Sequence, residues 1–434
     1  MGNQRPIAVD LFAGVGGMTL GFEQAGFDVL AAVEIDPIHC ATHEYNFPMW
    51  KAICASVTEI SGEDIRQRSQ IGDRDVDVVF GGPPCQGFSL MGKRAFDDPR
   101  NQLVSHFMRL VKELNAKYFV MENVKGLTLG NHRQFLDEVI ESFEKNEYSI
   151  LKGDSILNAC HFGIPQHRER LFLIGCRQDL PLPSYPSPIS KPANAKKIPK
   201  RLTNLTNSPT VREAIAGLPD ISKYPELMKQ DILQVEFGQF SEYVKLINNF
   251  GDSNFGYKRE YDKKLLTSSL VSKHKDTSIQ RFRNTAQGEV ESISRFYKLA
   301  LDGISNTLRA GTPSNRGAFT APRPIHPNFP RCITVREAAR LHSYPDWFRF
   351  HKTIWHGFRQ VGNSVPPLLA KAVASQIIQV MKCDLILDED LYALGDEKLL
   401  QFNMTKAAEY YNTNAIEPRK KFALSIDAKI TNLQ

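Results

Sequence analysis

The sequence predicts an α/β protein built on a doubly wound, largely parallel sheet. Three observations carry that expectation. First, from residue 7 to residue 177 short β-type runs alternate with helical patterns, which is how a parallel sheet covered on both faces reads. Second, the first run is followed by Ala13-Gly14-Val15-Gly16-Gly17, and the next run ends in Glu34-Ile35-Asp36. Strand, glycine-rich turn, helix, then an acidic residue at the second strand tip about 20 residues on is how such a unit receives a nucleotide-like cofactor. Third, the chemically interesting residues Gly14, Glu34, Cys85 and Glu122 recur at the C-terminal ends of runs. Open α/β sheets bind their ligands at that edge.

The elements follow in order. Residues 7–12 form a strand, with a helix through Ala25 after the glycines. Residues 29–33 form the second strand, and Asp36-Pro37 opens a helix over 38–45. A third unit runs through Ile53 and Ala55-Ser56-Val57. Residues 75–80 form the fourth strand and deliver Gly81-Gly82-Pro83-Pro84-Cys85. Residues 102–114 place Leu103, Phe107, Leu110, Val111 and Leu114 on one helical face. Residues 118–121 form the fifth strand, which presents Glu122-Asn123-Val124 at its tip. A helix over 135–143 and two strands, 148–157 and 171–176, complete the alternation, the last two paired as a hairpin.

The character changes near Leu180. Residues 181–200 hold six prolines, with Lys191, Lys196, Lys197, Lys200 and Arg201 in or just beyond them. Periodicity stays weak to about residue 330. Regularity returns with Arg331 to Leu341, where Thr334 and Glu337 have capping-box spacing. Ser364 is the expected cap of a last amphipathic helix bearing Leu369, Val373, Ile377 and Met381. The expected divisions are 1–180, 181–330, 331–382 and a polar extension over 383–434 without functional signal.

Composition bounds the partners. Among 434 residues, Lys and Arg exceed Asp and Glu by 54 to 48, which permits a polyanionic partner without demanding one. The seven cysteines include no C-x-x-C pair, so no zinc site and no metal is expected. The odd count and the polar start at Met1 point to reduced thiols in the cytoplasm, and no stretch is apolar enough to span a membrane.

Cys85 stands in a turn stiffened by two prolines and opened by two glycines. That turn suits a displayed nucleophile, and equally an inert thiol beside a packing turn. The glycine turn lacks G-x-G-x-x-G spacing, which argues against a nicotinamide site.

Taken together the motifs resemble the DNA cytosine-C5 methyltransferase family of bacterial restriction-modification systems. The match rests on Asp10-Leu11-Phe12-Ala13-Gly14-Val15-Gly16-Gly17, Glu34, Pro83-Pro84-Cys85-Gln86-Gly87-Phe88-Ser89, Glu122-Asn123-Val124, and Gln166-His167-Arg168-Glu169-Arg170. It continues through residues 331–346 and Gln360-Val361-Gly362-Asn363-Ser364-Val365-Pro366, all in the family's order.

The resemblance implies an S-adenosylmethionine-dependent methyltransferase domain with a Rossmann-like sheet and a smaller target-recognition domain over 181–330. It implies that Cys85 adds to C6 of a cytosine flipped out of double-stranded DNA, that Glu122 holds the base's N3 edge, and that Arg168 lies near its O2. Gln86, Gln166 and Arg170 belong to the same site, with Gln166 and Arg170 ordering the active-site loop. The implied cofactor contacts are Phe12, Gly14, Gly16, Gly17, Glu34, Ile35, Ser56, Val57, Gly82, Pro84, Leu103, Asn363 and Ser364. Ser56 stands where many relatives carry an acidic residue for the adenine amine, and a hydroxyl accepts that hydrogen bond less strongly. The loop with Gly92, Lys93, Arg94, Asp97, Asp98 and Arg100 has the length and charge of a lid. Arg281, Arg283 and Arg316 are the candidate base readers. A monomer, cytoplasmic and associated with the nucleoid through DNA, is the implied state. An RNA cytosine methyltransferase and a catalytically dead DNA-binding relative are the competing readings; the length of 181–330 and the intact Cys85, Glu122 and Arg168 weigh against them.

Overall fold

The computed structural model describes residues 5–84, 102–130, 132–153, 155–195, 197–248, 254–311, 323–385 and 387–416. Among these, an eight-stranded sheet runs in the order β3-β2-β1-β4-β5-β8-β6, with β7 also paired to β8. Strands β1 (Ile7–Leu11), β2 (Asp28–Glu34), β3 (Lys51–Cys54), β4 (Val78–Gly81) and β5 (Tyr118–Val124) are mutually parallel. β8 (Glu169–Arg177) is antiparallel to β5, and β6 (Tyr148–Ile150) and β7 (Ile156–Asn158) are antiparallel to β8. This is the doubly wound, largely parallel sheet expected from the sequence, with an antiparallel edge at β8, β6 and β7.

Sequence explains the layering. β1 and β4 are buried at every position, as central parallel strands covered by helices on both faces must be. A side chain at Gly81 would meet the Leu11 carbonyl oxygen at 2.0 Å, so the β1–β4 approach requires glycine there. The helices are α1 (Gly17–Ala25), α2 (Pro37–Asn46), α3 (Gly62–Gln67), α4 (Gln102–Glu113) and α5 (His132–Lys145). Phe22 of α1 stacks on Phe80 of β4 at 3.7 Å, and Phe143 of α5 stacks on Phe119 of β5 at 4.0 Å. Aromatic contacts of this kind add to the stabilisation from the area these rings bury.

Three short helices lie in the following stretch: α6 (Val211–Ile215), α7 (Glu242–Asn248) and α8 (Asp276–Asn284). Then come α9 (Val335–Leu341), α10 (Ile354–Asn363), α11 (Pro367–Met381) and α12 (Met404–Tyr410). α11 packs along α1. Side chains at Gly17 and Gly21 would meet the carbonyl oxygens of Val365 and Pro367 at 2.5 Å, so these glycines set how closely the two helices approach. Residues 254–261 also lie against the sheet layer: Tyr257 Oη donates to Asp28 at 2.6 Å, and buried Arg259 pairs with Glu23 at 2.7 Å.

Two local expectations change. The strand expected over 148–157 is two strands, because Gly153 at φ +130 turns the chain between them while both stay on β8. Ser364 does not cap α11. It ends α10, where its hydroxyl donates to the Val361 carbonyl at 2.9 Å, and α11 starts at Pro367 after Pro366. The Thr334–Glu337 capping box at α9 is present.

Candidate active site

The sheet order reverses between β1 and β4, since β1 pairs with β2 on one side and β4 on the other. Such a switch point opens a crevice at the strands' C-terminal ends. The turns after β1, β2, β4 and β5 meet there.

On one side lies a cradle. Phe12 sits at φ +62, a conformation that costs a non-glycine residue energy and clusters at functional sites. Gly14 follows at φ +56, with nothing within 4 Å of where its side chain would stand. Glu34 fixes the turn. One carboxylate oxygen accepts from Gly14 N and the other from Asp36 N, each at 2.8 Å. Ile35 is 57% exposed, an aliphatic surface presented at the second strand tip. The open glycine, the acidic strand tip and the exposed aliphatic residue fit a nucleoside-bearing cofactor.

The other expected cofactor residues divide. A side chain at Gly16 would run into Phe47 and one at Gly17 into Val365 and Tyr344, so the missing side chains make room for protein. The Val57 side chain is buried in the core, and its carbonyl accepts from Arg109 at 2.7 Å. Ser56 is half-buried and its hydroxyl bonds Thr58 Oγ1 at 2.7 Å. Leu103 and Gly82 are half-buried, whereas Pro84 and Asn363 are exposed. Beneath the glycine turn, buried Asp10 accepts from Thr19 Oγ1 at 2.6 Å, which lies 3.1 Å from His43 Nε2. Burial pushes the Asp10 carboxyl well up and pulls His43 down to about 3.

On the other side lies an acid site. In the β4–β5 register Gly81 faces Met121, which sets Gly82 beside Glu122. A side chain at Gly82 would stand 2.7 Å from Glu122 Oε2, so glycine leaves the carboxylate its space. Asn123, buried, donates to the Pro83 carbonyl at 3.0 Å and ties the Pro-Pro turn to β5. Cys85, Gln86 and the lid lie outside the described residues. Glu122 Oε1 stands 2.9 Å from Arg170 Nε, and each side chain is only 14% exposed. Burial pushes the Glu122 carboxyl up, while Arg170 and then Arg168 oppose that shift.

Arg168 does not face this cleft. It is fully buried and donates to the carbonyls of Leu308 (2.9 Å), Gly362 (2.9 Å) and Ser364 (2.7 Å). Burial and the neighbouring Arg170 cation work against its charge. Its two terminal nitrogens are thus committed to the backbone, and the arginine on Glu122 is Arg170. Gln166 acts with Arg168: it accepts from Leu308 N at 3.2 Å and reaches the Leu341 carbonyl at 3.2 Å and His342 Nδ1 at 2.9 Å. Sequence spacing could not separate the two, because residues two apart along an extended segment read as one face.

Of the expected base readers, Arg281 is occupied by Glu291 at 3.2 Å, Arg283 is exposed and bonds Gln280 at 3.0 Å, and Arg316 lies outside the described residues. Among the described residues no acidic, His and Cys cluster could hold a metal ion, and no helix is long and apolar enough to cross a membrane. Asn123 and Gly82 lie within the sequence motifs, Gly82 as an expected cofactor contact; their roles in tying the Pro-Pro turn and leaving room for Glu122 emerge only in the structure.

Comparison with known proteins identifies the family. The family described as C-5 cytosine-specific DNA methylase matches residues 8–379. The type II methyltransferase M.XorII of Xanthomonas oryzae pv. oryzae is 54% identical over 413 residues, covering 95% of this chain and 93% of that protein. The type II methyltransferase M1.HphI of Haemophilus parahaemolyticus is 34% identical, covering 86% of each. A crystal structure described as a DNA modification methyltransferase encoded within an E. coli prophage superposes with a TM-score of 0.68 at 32% identity, covering 87% of this chain and 99% of that one. The chain therefore belongs to the C-5 cytosine-specific DNA methylase family, and is a DNA (cytosine-5-)-methyltransferase.

Proposed function

We propose that this enzyme methylates C5 of one cytosine within a specific double-stranded DNA sequence, and that it protects host DNA from a cognate restriction endonuclease. The observation that carries the chemistry is the Glu122–Arg170 pair beside the Pro83-Pro84 turn, next to the Gly14–Glu34 cradle. The protective role rests on the similarity to the type II methyltransferases.

Cytosine C5 is too weak a nucleophile to take a methyl group unaided. The Cys85 thiolate forms a bond to C6, and the ring electrons move so that C5 becomes an enamine carbon. Glu122, whose carboxyl burial holds in the protonated direction, protonates or shares a proton with N3 during that addition and accepts from the exocyclic amine. Arg170 takes the base-facing role expected of Arg168: it holds Glu122 and offers donors toward O2. S-adenosylmethionine, the donor the family implies, supplies the electrophilic methyl group. Phe12, Ile35 and Leu103 would pack its adenine, with Gly82, Pro84 and the Val57 backbone around it and Ser56 toward the amine. Glu34 would hold the ribose, Gly14, Gly16 and Gly17 would shape the turn, and Asn363 and Ser364 would border the methionine end. Loss of the C5 proton and cleavage of the S–C6 bond then release Cys85.

The base must leave the duplex stack first, at a cost of roughly a few kcal/mol. Residues 181–330 are assigned to target recognition, held to the catalytic part by Gln166 and Arg168. The enzyme works as a cytoplasmic monomer on DNA.

Bisulfite sequencing of a random-sequence plasmid treated with enzyme and S-adenosylmethionine tests this reading. Protected cytosines should share one sequence context. Protection scattered without context, or none on DNA with activity on RNA, would reject it. Glu122→Gln should slow single-turnover transfer by roughly 10²- to 10⁴-fold, leaving cofactor affinity within about twofold. A larger loss of cofactor binding than of chemistry would reassign Glu122 to structure.

A further inference from the structure

The extension read as functionally silent is packed on the back of the cofactor cradle. Within residues 387–416, the stretch 394–411 runs along α2, the short helix that begins immediately after Glu34-Ile35-Asp36, while Leu391–Tyr392 pair with Lys258–Arg259. Leu399 and Leu400 are buried with Ala41 and Tyr45 in a small apolar cluster. Gly395 N donates to the Tyr45 carbonyl at 2.8 Å, and a side chain at Gly395 would stand 2.8 Å from Tyr45 Cα. Tyr410 and Tyr411 each donate to one carboxylate oxygen of Glu44, at 2.7 and 2.8 Å. Arg349 reaches the Tyr45 hydroxyl at 3.2 Å and pairs with Glu397. These contacts gather on Ala41, Glu44 and Tyr45, which share one helical face.

The other end of α2 holds Glu34. Asp36 caps the helix by accepting from Ile38 N at 3.0 Å, and its own N–H donates to Glu34 Oε1. Cys40 Sγ lies 3.3 Å from the Glu34 carbonyl. Glu34 Oε2 in turn receives Gly14 N. A ten-residue helix is too short to be stable on its own, so what packs on it decides where its first turn sits.

We propose that residues 387–416 are a brace that sets the enzyme's affinity for the adenosyl part of its cofactor, by fixing α2 and through it Glu34. The inference rests on the reading of Glu34 as the ribose ligand. Its residues are positioning residues, remote from the reacting atoms.

The test uses full-length variants and S-adenosylhomocysteine as the titrated probe. Leu399→Ala with Leu400→Ala should raise its Kd about threefold or more, and raise KM for S-adenosylmethionine in parallel, with kcat at saturating cofactor within about twofold. Tyr410→Phe with Tyr411→Phe removes only two hydroxyls and should shift Kd the same way by less. Should the leucine pair fail to fold, the tyrosine pair decides. In a Glu34→Gln background the brace variants should cost little further affinity, because the route runs through that carboxylate. An unchanged Kd in a folded brace variant, or a loss of kcat alone, overturns the proposal while leaving Glu34 as ligand. An equal loss with and without the Glu34 carboxylate overturns the route. If Glu34→Gln itself leaves Kd unchanged, the ribose reading fails and the brace proposal with it.

Discussion

Cys85→Ser should abolish methyl transfer, by a factor on the order of 10⁴ or more, while specific DNA binding stays measurable. A serine hydroxyl at neutral pH is not ionised and adds poorly to C6, so the enamine never forms. The described part of the site rests on other groups: Asn123 holds the Pro83 carbonyl, and Gly82 leaves Glu122 its space. The complementary result is a denaturation-stable adduct with DNA carrying 5-fluorocytosine at the target. Fluorine at C5 cannot leave as a proton does, so the S–C6 bond persists. Full turnover by the serine variant, or an adduct formed equally well by it, would remove Cys85 from the mechanism.

The two arginines of the Gln166-His167-Arg168-Glu169-Arg170 motif should fail in different ways. Arg168→Met should lower folding stability by roughly 3–5 kcal/mol, seen as a lowered thermal midpoint. It strips donors from the carbonyls of Leu308, Gly362 and Ser364, the first two of which sit in buried hydrogen bonds. Arg170→Met should instead fold and lose turnover, because its guanidinium serves Glu122. A stable Arg168→Met variant that loses only kcat would return Arg168 to the base.

Arg170→Met also has a signature in pH. Arg170 opposes the burial that raises the Glu122 carboxyl, so its loss should raise that carboxyl further. The alkaline limb of single-turnover transfer, where Glu122 gives up the proton it offers N3, should move to higher pH. Linkage fixes the sign for stability as well. A raised folded-state value gives a contribution that is fully present below the unfolded carboxyl value and is lost as pH rises through the folded value. The variant should show a wider window of this loss, ending at higher pH.

Some of this enzyme is local in sequence. The alternation over 7–177 predicts the sheet because a parallel strand buried on both faces has few other ways to read than β1 and β4 do. The motif residues Gly14, Glu34 and Glu122 lie at strand ends because the fold places its crevice there, and a motif's spacing carries that placement directly. The Thr334–Glu337 box was legible because its partners are three residues apart.

Fold class, family and the residue types that gather at the strand tips are legible without coordinates, since each is written in short-range pattern. Which arginine meets Glu122 depends on long-range folding, because Arg168 and Arg170 share one motif and differ only in what lies across from them: carbonyls brought from residues 308, 362 and 364 in one case, a carboxylate in the other. Long-range folding likewise decides that Gly16 and Gly17 make room for protein while Gly14 faces open space, and that the polar C-terminal stretch packs on α2. The physical reason is common to all three. A hydrogen bond or a close packing contact between residues far apart in the chain exists only once the sheet has brought them together, and no local spacing encodes the partner.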